Sequence, residues 1–328
     1  MPFRILLTLA VAATITTAVH AASAGLPLRF VANVQLPGPS NRFDYTSLDA
    51  SANRLYIAHM DAGQILVFDV KQRRLLQTIN APGVHGVIAV PRLHRVYASA
   101  TDAQMLITID SRTGRVIARS PAGSYPDGLV YDPVERHVFV SDESGGIEAV
   151  INAAGRRIAT VRLGGEAGNV QYDARSGMVL ADVQTRNQVA VIDPKTNRVV
   201  RRLALPGCDH SHGLLIDAPR RLAFVACDGN AALLTLDLKR LKVTATATVG
   251  QGPDVLAFDT SSKRLYVAAE SGQVAVFEEH ARKLTKLGLA QLAPQAHTVA
   301  VDPRTHLVYF PLESGSNGKP QLRIMAAH

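Results

Sequence analysis

Seven copies of one segment recur along the chain 41 to 44 residues apart, and that spacing leaves few folds open. The copies read SLDASANRLYIAH, AVPRLHRVYAS, YDPVERHVFVS, YDARSGMVLAD, IDAPRRLAFVA, FDTSSKRLYVA and VDPRTHLVYFP, which places Tyr56, Tyr97, Phe139, Leu180, Phe224, Tyr266 and Tyr309 in register. Short β-branched runs, split by Asp, Pro and Gly turns and repeated at this period, are what a β-propeller blade requires. A repeat of this kind turns a linear sequence into rings. Residues at one repeat position must lie at one height around a common axis.

Each unit holds four strand-like runs, as in HGLLID, RLAFVAC, ALLTLD and KVTATATV of the fifth. The seventh unit supplies only three, ending in QLRIMA. Its missing outer run stands at the other end of the chain, where RFVANVQL (Arg29–Leu36) matches the outer runs RVIARS and RVVRRLAL. The expected fold is therefore all-β: one seven-bladed β-propeller of four-stranded antiparallel blades over residues 25–328, closed by the N-terminal strand. Closure removes the open edges that would otherwise pair with other chains.

The segments LYIA, VYAS, VFVS and LYVA, each followed by an inner run such as VAVID, resemble the YVTN-repeat (YncE-like) propellers over roughly residues 29–328. The resemblance implies the fold. It does not select an activity, because such propellers host binding proteins, lactonases, lyases and cofactor proteins alike.

Residues 1–24 read as a secretory signal. Arg4 precedes the apolar run Ile5–Val19, which is short for a membrane span, and small residues around Ala21–Ala24 suit cleavage. The expected address is periplasmic or secreted, with no stable membrane insertion and a monomeric product. Both cysteines, Cys208 and Cys227, fall in the fifth unit, on loops that an antiparallel blade places on one face. Export favours a disulfide between them over a Cys/His metal site built on His210.

The formal charge of +8 is concentrated in two families of turns. One joins the first and second strands (Arg92, Arg95, Arg136, Arg220, Arg221, Lys263, Arg264). The other joins the third and fourth (Lys71, Arg73, Arg74, Arg156, Arg157, Lys239, Arg240). Strand alternation brings both to one face, the underside. These turns carry no aromatic residues for base stacking, so nucleic acid is disfavoured as a partner.

The opposite mouth collects different chemistry. Five residues ahead of the repeat's Asp position, the units carry Asp44, His85, Asp127, Gly168, His212, Asp254 and His297. Two residues earlier lies a second ring of Arg42, Gly83, Tyr125, Glu166, His210, Gly252 and Gln295. Residues two apart on an extended chain share a face, so both rings should line one channel mouth. Loops between the second and third strands add His59, Asp61, Asp142, Glu143, Asp228, Glu270 and Glu313. Three imidazoles around an axis, His85, His212 and His297, could hold a divalent metal ion and leave positions open.

A small polar or anionic ligand at this mouth is the leading functional expectation. If the site is catalytic, metal-assisted hydrolysis or elimination of a lactone or ester fits it. Asp127, Glu166 or Asp254 would then move the proton, with Arg42 and Tyr125 orienting the substrate and Asp44, His210, His59 and Gln295 completing the binding set. A non-catalytic periplasmic binding or assembly scaffold is the alternative. Capture of a quinone or tetrapyrrole by the channel is a third reading. The sequence has no G-x-S-x-G elbow, P-loop, H-E-x-x-H or C-x-x-C-H motif.

Overall fold

Seven four-stranded antiparallel sheets stand in a ring in the computed structural model, which describes residues 25–315 and 317–327. The segment read as a secretory signal, 1–24, lies outside the described residues. Blade one runs through Thr46–Asp49, Arg54–His59, Gln64–Asp69 and Arg74–Asn80 from the axis outwards, and each following blade repeats this order. Blade seven consists of Ala300–Asp302, Leu307–Leu312 and Gln321–Ala327, with Leu28–Gln35 as its outermost strand. The N-terminal strand thus closes the ring as the repeat count requires. Its inner strand also meets that of blade one, so no sheet is left open at the join. Among the described residues no helix is long and apolar enough to cross a membrane.

The repeat positions build the core. Tyr56, Tyr97, Phe139, Leu180, Phe224, Tyr266 and Tyr309 are all buried, each on the second strand of its blade. Second strands are covered on both faces by neighbouring blades and read as near-continuous apolar runs. Outer strands alternate more and less exposed residues, as in Arg157–Arg162, because one face meets water.

The underside shows where the basic residues go. The repeat Asp at the end of an inner strand caps the following turn: Asp49 Oδ1 accepts the Ser51 and Ala52 N–H groups at 3.0 and 3.1 Å. Carboxylates at the ends of inner and third strands also pair across blades. Arg221 reaches Asp173 of blade four, Arg282 of blade six reaches Asp237 of blade five at 2.9 Å, and His306 of blade seven meets Asp259 of blade six at 2.6 Å. Arg220 crosses to Glu279 at 2.7 Å. Arg220, Arg221 and Arg282 on this face therefore serve as inter-blade braces.

Candidate functional site

A departure from regular pairing creates the mouth. At the start of the inner strands of blades two to six the ladder register slips, between Val84 and Val87, Pro126 and Leu129, Ala167 and Val170, Ser211 and Gly213, and Pro253 and Leu256. Blade one does the same, since the Asp44 N–H donates to the Ala58 carbonyl while the Ala58 N–H donates to the Tyr45 carbonyl. The residues freed by each bulge are those of the first ring. A bulge re-aims side chains and breaks strict alternation, so two consecutive residues can serve the channel.

The result is a cavity of about 260 Å3 lined by Arg42, Asp44, Tyr45, Met60, His85, Tyr125, Asp127, Glu143, Gln184, His210, His212, Asp228, Asp254 and Glu270. Tyr45 helps to close it below. Its hydroxyl donates across the ring from blade one to Asn169 Oδ1 of blade four at 2.8 Å. Both residues follow a first-ring position by one, where strict alternation would point them away, and sequence reasoning passed over them for that reason. It also missed Gln184 and Met60.

The three expected imidazoles meet three different fates. His85 Nδ1 lies 2.8 Å from the Thr101 hydroxyl, whose proton goes to the Pro126 carbonyl at 2.8 Å, and 3.1 Å from the Gly83 carbonyl, so Nδ1 carries a proton and Nε2 accepts from the Tyr125 hydroxyl at 3.2 Å. The Tyr125 loop is held in turn by Asp142, whose Oδ1 accepts the Tyr125 N–H at 2.7 Å and the Ser124 hydroxyl at 3.0 Å. Asp142, expected as a rim group, therefore acts through Tyr125.

His212 is the cation of the set. Gln184 donates its amide to the Ala167 carbonyl at 2.8 Å and to Glu143 at 3.2 Å, which turns its oxygen towards His212 Nδ1 at 3.2 Å. His212 Nε2 forms an ion pair with Asp254 Oδ1 at 3.2 Å. Burial opposes the imidazolium, but the Asp254 contact and the charges of Asp127 and Glu143 outweigh it and raise the pKa to about 10.

His297 is fully buried. Its Nδ1 donates to the Gln295 carbonyl at 3.0 Å, with Glu270 Oε2 at 3.6 Å, while Nε2 has no hydrogen-bond partner. Only this imidazole joins a set of potential ligand atoms within 4.8 Å of one another, and its companions are Asp44 and Asp254. The geometry thus gathers two carboxylates and one imidazole where sequence spacing suggested three imidazoles. The physical reason is that His85 holds hydrogen bonds at both ring nitrogens, while His212 is held by Gln184 at Nδ1 and by its ion pair with Asp254 at Nε2.

The carboxylates are under electrostatic stress. Burial, and then the Asp254 charge, push Asp44 up to about 7; burial, and then Asp44, push Asp127 to about 7 as well. Burial also works against Asp254, but His212, His297 and Arg42 outweigh it and hold its carboxyl below the usual range. Arg42 binds Glu270 at 2.7 Å over this group.

The remaining expected residues fall at the edges. His210 stands half-exposed between Glu166 Oε2 at 3.5 Å and Asp228 Oδ2 at 3.7 Å. Glu166 reaches the rim through that contact and does not line the cavity. His59 is buried, stacks on Phe43 with ring centroids 4.1 Å apart, and holds Asn41 Oδ1 at 2.7 Å, as a packing residue does. Gln295 is exposed at its side chain and contributes through its carbonyl, which its left-handed φ of 53° helps to orient. Cys208 and Cys227 are bonded, fastening the loop that carries His210 to the strand end that precedes Asp228.

No family model matches the chain. It is similar to the uncharacterized protein YncE of Salmonella typhi and of Salmonella typhimurium, 27% identical over 104 residues, which is 32% of this chain and 30% of those relatives. A chain of the hydrazine synthase of Kuenenia stuttgartiensis superposes with a TM-score of 0.73 over 95% of this chain and 99% of its own, at 12% identity. That likeness shows the fold alone. Sequence similarity and the seven-bladed ring together support a YncE-like β-propeller.

Proposed function

We propose that the mouth is a binding site for small positively charged ligands. The observation that carries this reading is the sign of the lining. Six carboxylates, Asp44, Asp127, Glu143, Asp228, Asp254 and Glu270, face two fixed cations, Arg42 and His212, in a chain whose formal charge is +8. A cleft with low-dielectric walls focuses the field of its own charges and concentrates ligands of opposite sign. The anionic ligand suggested by the His content fits less well, because two of the imidazoles are committed to hydrogen bonds within the wall. The raised pKa values of Asp44 and Asp127 point the same way, since a bound cation would offset the burial and the mutual repulsion that oppose their charge.

A calorimetric panel tests the reading. Methylguanidinium, ethylammonium and diamines are compared with acetate and methylphosphonate at matched ionic strength. Saturable binding restricted to cations supports it, and a preference for the anions overturns it.

A second reading, acid–base catalysis on a lactone or ester, has one observation in its favour. The Tyr125 hydroxyl lies 3.2 Å from His85 Nε2, an arrangement suited to proton transfer. Tyr125→Phe should then abolish turnover of such a substrate while leaving cation binding in place.

A further inference from the structure

Deepening the proposal of a cation-binding mouth, and resting on it, the geometry points to a transition-metal dication held by Asp44, Asp254 and His297. Two of the three donors are buried carboxylates, which alone would not distinguish a metal from a hydrogen-bonded pair. The third supplies the independent sign. His297 is fully buried, and its Nε2 has no hydrogen-bond partner although it lies 4.0 Å from Asp254 Oδ2. A buried ring nitrogen left without a partner is costly unless something else occupies it.

The tautomer is fixed from behind. The Gln295 carbonyl at 3.0 Å can only accept, so Nδ1 carries the proton and the Nε2 lone pair is presented to the two carboxylates. Glu270 Oε2, 3.6 Å from Nδ1, adds the carboxylate that commonly backs a metal-bound imidazole and raises its basicity. Glu270 is itself oriented by Arg42 at 2.7 Å. Beside Asp254, the His212 ring plays the matching part, with its Nε2 3.2 Å from Oδ1. Each of these two donors therefore has its own support, as metal ligands generally do.

The three ligand atoms lie within 4.8 Å of one another, and bonds of about 2.0–2.2 Å would draw them in by about an ångström. A nitrogen among two oxygens selects for ions such as Zn2+ and Mn2+ over Mg2+ and Ca2+, which prefer all-oxygen shells. Two of the three protein ligands, Asp44 and Asp254, line the cavity, with His297 buried behind them, so coordination positions are left facing the cavity. That is the arrangement of a site where the metal meets a ligand, in contrast to a closed structural site.

The test uses the full chain, stripped with chelator and titrated with Zn2+, Mn2+, Mg2+ and Ca2+. One equivalent of Zn2+ or Mn2+ should bind, and Mg2+ and Ca2+ should bind at least tenfold more weakly. His297→Gln, which keeps the volume, should weaken Zn2+ or Mn2+ by tenfold or more. Its fold is checked by the metal-free melting curve and by retained binding of an organic cation. In the Mn2+ form, pulsed electron paramagnetic resonance should show a nitrogen coupling that the variant lacks. Absence of stoichiometric metal, equal affinity for Mg2+, or unchanged affinity in a folded His297→Gln protein each overturns the proposal. If metal fails while organic cations bind, the metal assignment alone falls; if neither binds, the reading of the mouth falls with it.

Discussion

Removing Arg221 should show that the basic underside serves stability. Its guanidinium pairs with Asp173 of the neighbouring blade; the carboxylate is 1% exposed and the arginine side chain 16%. Truncating one partner of a buried ion pair typically costs about 3–5 kcal/mol, because the other charge is left without compensation. Here Asp173 keeps the Ser176 hydroxyl at 2.5 Å and the Arg175 N–H at 3.0 Å, so Arg221→Ala should cost less, about 2–3 kcal/mol at pH 7. The effect should depend on pH in one direction. Burial opposes the Asp173 charge, but Arg221 and the other donors outweigh it and hold the carboxyl below its usual range. A lowered folded pKa contributes stability that is present above the unfolded value of about 3.9 and is lost as pH falls through the folded value. The gap between wild type and Arg221→Ala should therefore be full at pH 7 and shrink on acidification. Urea denaturation at pH 7, 5 and 3.5, with Asp173→Asn and the double variant completing a cycle, measures it. A cost below 0.5 kcal/mol by the order of magnitude of exposed pairs, or one that does not shrink in acid, would refute the bracing account.

Deleting Leu28–Gln35 should unpair blade seven and produce aggregation; a deletion that stays monomeric with an unchanged melting temperature would refute ring closure. Cys208→Ser with Cys227→Ser removes a bond across 19 residues and should cost about 3 kcal/mol at most, while also weakening cation binding through His210 and Asp228, as paired melting and calorimetry would show. Glu148, buried with one oxygen unpartnered, is pushed up to about 8 by burial. A raised carboxyl pKa gives stability that is present below the unfolded value of about 4.3 and is lost as pH rises through the folded value, so Glu148→Gln should flatten the fall in melting temperature between pH 5 and 8.

The ring was legible because propeller geometry is written as a period, and the period survives variation at single positions. Tyr56 and its six counterparts reach the core, and Arg29–Leu36 foretold the closing strand to within a residue. The first ring was legible too, since equal spacing implies equal height. What the sequence could not carry is the bulge at the start of the inner strands. Alternation places Tyr45 and Asn169 off the axis, whereas the slipped register puts them across it. Nor does spacing say which imidazole keeps a free nitrogen. That depends on the Gly83 and Gln295 carbonyls and on the orientation of Gln184, which are contacts made only in the folded ring.

The central claim is that the mouth, and not the underside, takes a cation. Binding calorimetry on two variants tests it most directly, using the tightest cation of the panel at constant ionic strength. Asp44→Asn removes a buried carboxylate of the cup, and Lys71→Glu with Arg73→Glu reverses two exposed underside charges outside the inter-blade pairs described above. The account predicts a loss of about tenfold or more for Asp44→Asn, in line with the loss of one carboxylate from a water-poor site, and an affinity within twofold of wild type for the underside reversal. Unchanged affinity in Asp44→Asn together with a large change in the underside variant would contradict it.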